Sequence, residues 1–180
     1  MRIISGLYKN RRIHFNNLKI RPTTDFAKES LFNILDNYYN FNEISALDLF
    51  AGSGNISYEF ISRGSKNTTA VDNNIKCIKF MKTIQSKLSI ENFDIEYTNS
   101  IHYLKKTKHK YDLIFADPPY NYKQTDYNEI INIIFEKYIL NTHGTLILEH
   151  SKLINFDTHK YLHMKKRYGS VNFSFLKNEK

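Results

Sequence analysis

The sequence predicts an α/β fold, a mostly parallel, doubly wound sheet finished by an antiparallel hairpin. Three observations carry this. Short β-prone apolar runs alternate with stretches at helical spacing through most of the chain. The first buried run leads straight into the glycine turn Ala51-Gly52-Ser53-Gly54-Asn55, after which helical spacing resumes. Beyond residue 160 the rhythm changes to apolar/polar alternation on both sides of Arg167-Tyr168-Gly169-Ser170.

The elements follow in order. Residues 2–15 carry β-prone side chains around a turn region of Gly6, Lys9 and Asn10, a hairpin with basic groups on one face. Arg21-Pro22-Thr23-Thr24-Asp25 is a helix-start signal, with hydroxyls to cap and an acid in the first turn. Ala27, Leu31, Ile34, Leu35 and Tyr38 then recur at helical spacing, so they form a core stripe. Residues 40–43 are a loop, 44–50 the first buried strand and 56–63 a helix. Residues 67–72 form a second strand ending in Asp72. A helix over 76–88 holds Cys77 as a small core residue, and 93–97 is a third strand. Asn99-Ser100-Ile101 opens a helix reaching 106, and 111–116 is a fourth, buried strand. A polar segment over 121–127 is placed to act as a lid. An apolar helix over 130–138 and a fifth strand over 145–149 precede the closing hairpin of 161–166 and 171–175.

Chemistry concentrates after the fourth strand, in Asp117-Pro118-Pro119-Tyr120. Two prolines donate no N–H and cannot continue a ladder, so the carbonyls of Asp117 and Pro118 are released to accept from a ligand. A carboxylate, a carbonyl and an aromatic ring suit the exocyclic amine of a nucleobase, whose lone pair is delocalised into the ring. Two acceptors localise that pair and stabilise the charge that develops on nitrogen, while Tyr120 stacks on the base. The strand, glycine turn and helix form a nucleoside cradle, and Asp72, twenty residues beyond Gly52, accepts from ribose hydroxyls. The Asn99-Ser100 turn lies where an adenine edge is read. Ser57 stands where a dinucleotide fingerprint has its third glycine, which disfavours nicotinamide binding.

A chain of 180 residues suits a single domain, here 1–180, with 1–20 a basic extension and 21–180 the core. The net charge is +8. Much of that is lysine in a chain rich in Lys, Asn, Ile, Tyr and Phe, as AT-rich coding produces. Arginine is more telling: Arg2, Arg11, Arg12 and Arg21 cluster near the start as a phosphate-contacting patch. The seven histidines and one cysteine suggest no metal set, and neither a signal segment nor a membrane-spanning run is visible. The expectation is a cytoplasmic protein with no membrane and no metal.

Leu47-Asp48-Leu49-Phe50-Ala51-Gly52-Ser53-Gly54, then Asp72, then Asp117-Pro118-Pro119-Tyr120, resembles the class I S-adenosylmethionine-dependent methyltransferases that modify amines. Arg2-Ile3-Ile4-Ser5-Gly6, Arg21-Pro22-Thr23-Thr24-Asp25 with Leu31-Phe32-Asn33-Ile34-Leu35, and Tyr168-Gly169 resemble the bacterial 16S rRNA guanine-N2 methyltransferases of the RsmD family. The resemblance implies a Rossmann-like, seven-stranded sheet and S-adenosyl-L-methionine as cofactor. It further implies 16S rRNA in assembled or assembling small subunits as partner, and a monomeric enzyme. It assigns Asp117, Pro118 and Tyr120 to catalysis. Cofactor binding falls to Asp48, Phe50, Gly52, Ser53, Gly54, Asp72, Asn73, Asn99, Ser100 and Ile101. RNA contact falls to Arg2, Arg11, Arg12, Arg21, Thr23, Thr24 and Lys28. Lys28 replaces the family's frequent arginine, and Asn99 replaces an acid near the adenine. An adenine-N6 methyltransferase and a non-enzymatic RNA-binding module on the same fold are the alternatives.

Overall fold

The computed structural model describes residues 1–14, 23–169 and 171–178. Its strands are β1 (Ser45–Asp48), β2 (Asn67–Asp72), β3 (Phe93–Tyr97), β4 (Tyr111–Ala116), β5 (Leu140–His150), β6 (Leu162–Tyr168) and β7 (Val171–Leu176). They form one seven-stranded sheet in the order β3-β2-β1-β4-β5-β7-β6. The first five pair in parallel, and β7 runs antiparallel to both β5 and β6. The chain moves outward from β1 to β3 and then restarts at β4 on the other side of β1. The carboxyl ends of β1 and β4 therefore flank the point where the order reverses, where a crevice opens between diverging crossovers.

Alternation along the buried strands divides the core between two faces. Leu113, Phe115 and Ile147 pack with α1 (Asp25–Leu35) and α2 (Asn55–Ser62) through Leu31, Phe32, Ile56 and Phe60. Ile114, Leu146 and Leu148 face the other way, onto Leu104 of α4 (Ser100–Lys106) and Ile130, Ile131 and Ile134 of α5 (Gln124–Glu136). The helix α3 (Ile75–Leu88) joins α2 over Ala70 and Phe93 through Ile78 and Met81.

Five expectations change. The start of the chain is antiparallel, but with a single bridge between Arg2 and Arg12 in place of two strands; Ile3 and Ile13 are buried beneath it. Residues 40–43 are not an open loop, because Phe41–Glu43 forms a 3-10 turn that buries Phe41. Tyr38 leaves the core stripe, since α1 stops at Leu35 and the ring is 59% exposed. The lid over 121–127 is half helix: Asp126 accepts from the Lys123 N–H (2.7 Å), α5 starts at Gln124, and Tyr127 is buried. Finally, β5 begins at Leu140, ahead of residue 145. The ladder passes through an irregularity opposite residues 111–113, with His143 at φ 67°, which lets Asn141, Thr142, His143 and Gly144 extend a strand they disguise.

A buried polar cluster fastens the N-terminal segment to α2. Glu59 is fully buried, and its carboxylate accepts from the backbone N–H groups of Ile4 (2.9 Å) and Ser5 (3.0 Å) and from Arg63 Nε (2.9 Å). Lys28 Nζ lies 3.6 Å from the same carboxylate. It donates to the Arg2 carbonyl (2.7 Å) and to Asn55 Oδ1 (2.8 Å). Gly6 crosses Ser62 so closely that a Cβ would stand 1.7 Å from its carbonyl oxygen, so only glycine fits there.

Candidate active site

Beyond β1 the chain is stitched to both neighbouring strands, by Leu49 N–H to the Phe115 carbonyl (2.9 Å) and Ala51 N–H to the Val71 carbonyl (3.1 Å). It then turns through Gly52 (φ 53°) and Gly54 (φ 79°), a left-handed path that side chains resist. A Cβ on Gly54 would meet the Tyr58 ring at 2.9 Å. The Tyr58 hydroxyl behind it is buried and has no hydrogen-bond partner among the described residues. Asp72 closes the loop: one carboxylate oxygen accepts from Gly52 N–H (2.7 Å), the other from Asn74 N–H (2.7 Å). A carboxylate has about four acceptor positions, so capacity remains for ligand hydroxyls.

Other residues expected at the cofactor divide into scaffold and lining. Asp48 is buried and accepts from the Ser57 N–H (3.1 Å) and hydroxyl (2.7 Å), which pins the first turn of α2 to β1. The Ser53 hydroxyl is buried and donates to Met1 Sδ (3.4 Å). That of Ser100 is spent on the Leu49 carbonyl (3.0 Å). Asn99 is exposed and caps α4, its oxygen accepting from Ile101 N–H (2.9 Å) and His102 N–H (3.2 Å), so its amide nitrogen is the group left to read a base edge. Asn73 is exposed. Ile101 and Phe50 are half-buried, with Phe50 edge-on to Tyr122 at 5.5 Å.

Burial raises the Asp48 carboxyl to about 7; the two Ser57 hydrogen bonds oppose the shift and the Asp72 charge adds to it. The folded protein thus holds this proton more tightly than the unfolded chain does. Its contribution to stability is fullest below the ordinary carboxylate value, declines as pH rises toward 7, and is lost above it. Asp48→Asn is expected to flatten that decline, by up to about 4 kcal/mol between pH 4 and pH 8. Thermal melts of both proteins across this range check it; parallel curves would defeat the assignment.

Asp117 follows β4 directly. The register Ala116↔Leu148 carries on to place it beside Glu149 of β5, on the face shared with α1. Its carboxyl is held well above the usual range by burial, then by the Glu149 charge, then by Asp48. Pro118 is buried, whereas Tyr120 is 83% exposed. Glu149 was not among the expected site residues. It is buried and accepts from the Thr23 hydroxyl (2.7 Å), and its backbone carbonyl accepts from the Tyr127 hydroxyl (3.2 Å). The available signal was an acid closing an apolar strand, the pattern already noted at Asp72 and Asp117.

Of the residues expected to touch RNA, Arg2, Arg11 and Arg12 are exposed. Arg2, Arg12, Met1, Ile13, His14 and Asp25 line a cleft of about 270 Å³. Thr24 is exposed and caps α1 through its hydroxyl oxygen, which accepts from Ala27 N–H (3.2 Å). Two assignments are corrected. Lys28 has 0% exposure and its ammonium is committed to Arg2, Asn55 and Glu59, so it supports the N-terminal segment and does not face solvent. Thr23 is buried against Glu149 and belongs to the crevice wall. Arg21 lies outside the described residues. Among those residues no group of three or more metal-type ligands occurs, and no helix is long and apolar enough to cross a membrane.

Comparison with known proteins matches residues 1–177 to the family described as "Conserved hypothetical protein 95". The chain is 35% identical to "Ribosomal RNA small subunit methyltransferase D" of Buchnera aphidicola subsp. Baizongia pistaciae, over 99% of this chain and 92% of that protein. It is 34% identical to "Putative rRNA methyltransferase YlbH" of Bacillus subtilis, over 84% and 83% of the two chains. Among solved structures, the putative methylase HI0767 of Haemophilus influenzae superposes with a TM-score of 0.77 at 27% identity, covering 97% of this chain and 96% of that one.

Proposed function

This chain belongs to the Conserved hypothetical protein 95 family, and from that premise we propose that it methylates the exocyclic N2 amine of a guanine in 16S rRNA. Family and fold make it a methyltransferase that uses S-adenosylmethionine. The observation that carries the choice of an amine is the position of Asp117, at the carboxyl end of β4 and across the crevice from the glycine loop.

The residues present fit the cofactor: two left-handed glycines, an acid tied to their loop, a buried hydroxyl without a partner among the described residues, and half-buried Phe50 and Ile101. When bound, S-adenosylmethionine supplies an electrophilic methyl carbon on a good leaving group. Asp72 holds the ribose, Gly52 and Gly54 admit close approach, and Asn99 with Asn73 meets the adenine. Asp117 accepts one N–H of the target amine and the Pro118 carbonyl accepts the other, which concentrates the nitrogen lone pair toward the incoming carbon. Tyr120 stacks on the base. The proton becomes labile only after nitrogen is alkylated, so Asp117 acts as an acceptor and no strong base is needed. Arg2, Arg11, Arg12 and Thr24 meet the RNA backbone. The substrate is the assembled or assembling small subunit, and the enzyme works as a monomer.

Labelled methyl transfer to unmodified small subunits, naked 16S rRNA and duplex DNA, followed by mass spectrometry of the nucleosides, tests this reading. N2-methylguanosine from a ribosomal substrate is expected. N6-methyladenosine, or its deoxy form, would overturn it in favour of adenine methylation. Reversing Arg11 and Arg12 together to glutamate is expected to weaken RNA binding and lower the salt slope by about 2, one for each phosphate that is no longer neutralised. An unchanged slope removes this segment from the interface.

A further inference from the structure

We propose that Phe26 and Tyr168, edged by Lys166 and Arg167, form a second RNA contact, one that stacks a single-stranded base flanking the target guanine. The inference rests on the function proposed above and adds a binding surface to it. Its parts meet at the crevice end of the sheet. β7 runs antiparallel to β5 with Asn172 opposite His150, so the turn between β6 and β7 projects from the carboxyl end of β5. The start of α1 reaches the same end, where the Thr23 hydroxyl donates to Glu149 (2.7 Å). In the first turn of that helix the Phe26 ring, 68% exposed, stands edge-on to Tyr168 with centroids 6.1 Å apart. Tyr168 is half-buried and backed by Phe173 at 6.1 Å, which anchors the pair to the core.

A single exposed aromatic ring needs no explanation, but the charges around this one match a particular partner. Lys166 lies between Met164 and Tyr168 in the alternation of β6, hence on the face that carries α1. It is exposed and makes no ion pair among the described residues. Arg167 is exposed as well; its Nε donates to the Gly169 carbonyl (3.0 Å), and its terminal nitrogens meet no acid among the described residues. A Cβ on Gly169 would have no atom within 4 Å, so the turn is open to an approaching strand. On α1, Asp25 and Glu29 flank Phe26, so a neutral base face suits the ring and phosphates fall to Lys166 and Arg167. Asp25 also lines the cleft of Arg2 and Arg12, so the two basic surfaces adjoin across the first turn of α1. An RNA loop supplies an unstacked base together with phosphates, whereas a duplex hides its base faces.

Binding of the full chain to unmodified small subunits, and transfer of labelled methyl to them, test this. Phe26→Ala is expected to weaken binding by about 5- to 100-fold, the usual loss for one base–aromatic stack, with Phe26→Tyr within about threefold of wild type. The loss should fall on KM, while kcat at saturating subunits, S-adenosylmethionine affinity and Tm stay near wild type, because the ring is exposed and outside the reacting groups. Replacing Lys166 and Arg167 together by glutamine should lower the salt slope by roughly 1.4, about 0.7 for each phosphate contact on a single strand. Unchanged affinity of a folded Phe26→Ala overturns the proposal, and so does an unchanged slope in the double variant. A benzophenone side chain placed at position 26 then identifies the partner on irradiation: attachment to 16S rRNA is expected, and attachment to a ribosomal protein overturns the RNA assignment. Failure of the wild type to methylate guanine in any ribosomal substrate would count against the function proposed above, whereas wild-type methylation with variants that behave alike would remove only this surface.

Discussion

Asp117→Ala is expected to lower methyl transfer by about 10²- to 10³-fold, the usual loss when one acceptor aimed at developing charge is removed. Affinity for S-adenosylmethionine should hardly change. The cofactor loop is closed by Asp72 at the end of β2, through hydrogen bonds to Gly52 and Asn74 in which Asp117 takes no part. Calorimetric titration of the cofactor beside single-turnover transfer separates the two effects. In the wild type, transfer should rise with pH through a range above ordinary carboxylate values, because ionised Asp117 is the stronger acceptor and stabilises the positive charge developing on nitrogen, and its carboxyl is held high by burial and Glu149. Turnover by Asp117→Ala within a few-fold of wild type would remove Asp117 from the reaction.

Glu59→Ala is expected to be the most damaging change to stability, at about 3–5 kcal/mol, because it leaves one member of a buried ion pair without its counter-charge. The Lys28 ammonium would remain enclosed, two backbone N–H groups would lose their acceptor, and Arg63 would lose one of its two carboxylate partners among the described residues, keeping Asp36. In a chain of this size that corresponds to a fall in Tm of roughly 6–20 °C. Limited proteolysis should show early cleavage within residues 1–14. Met1 touches Ser53 in the glycine loop, so cofactor affinity should fall as well. A Tm within about 2 °C of wild type would mean that the cluster contributes little.

Where a strand is buried on both faces, its sequence announces it. β2 and β4 occupy the expected 67–72 and 111–116, since each is a short apolar or β-branched run between turn formers, while the edge strand β3 occupies the expected 93–97, where Phe93, Ile95 and Tyr97 alternate with acids. The first half of β5 was hidden because its ladder passes through a bulge built from polar residues and glycine. Side-chain fate was less legible. Lys28 reads as a surface cation within its own helix, yet its partners come from α2 and from the start of the chain, which no local pattern connects to it. Thr23 reads as a cap, but the cap is its neighbour Thr24; the Thr23 hydroxyl is drawn away by Glu149, more than a hundred residues later. The motif residues Gly52, Gly54, Asp72 and Asp117 converge because the strand order reverses between β1 and β4, a topology that motif order implies once a doubly wound fold is assumed.

The insertion of β7 between β5 and β6 has a consequence for synthesis of the protein. A nascent chain that has reached Tyr168 already carries its outer strand but has nothing to pair it with, because β6 meets the sheet only through β7. Until Val171–Leu176 emerges, β5 is an open edge whose backbone groups over residues 146–150 lack their ladder partners. At about 5–20 residues per second, an uninterrupted ribosome leaves that edge bare for a second or so after Tyr168. A stall there would prolong the exposure, and truncation before Val171 would make it permanent, turning an unfinished chain into a template for edge-to-edge aggregation.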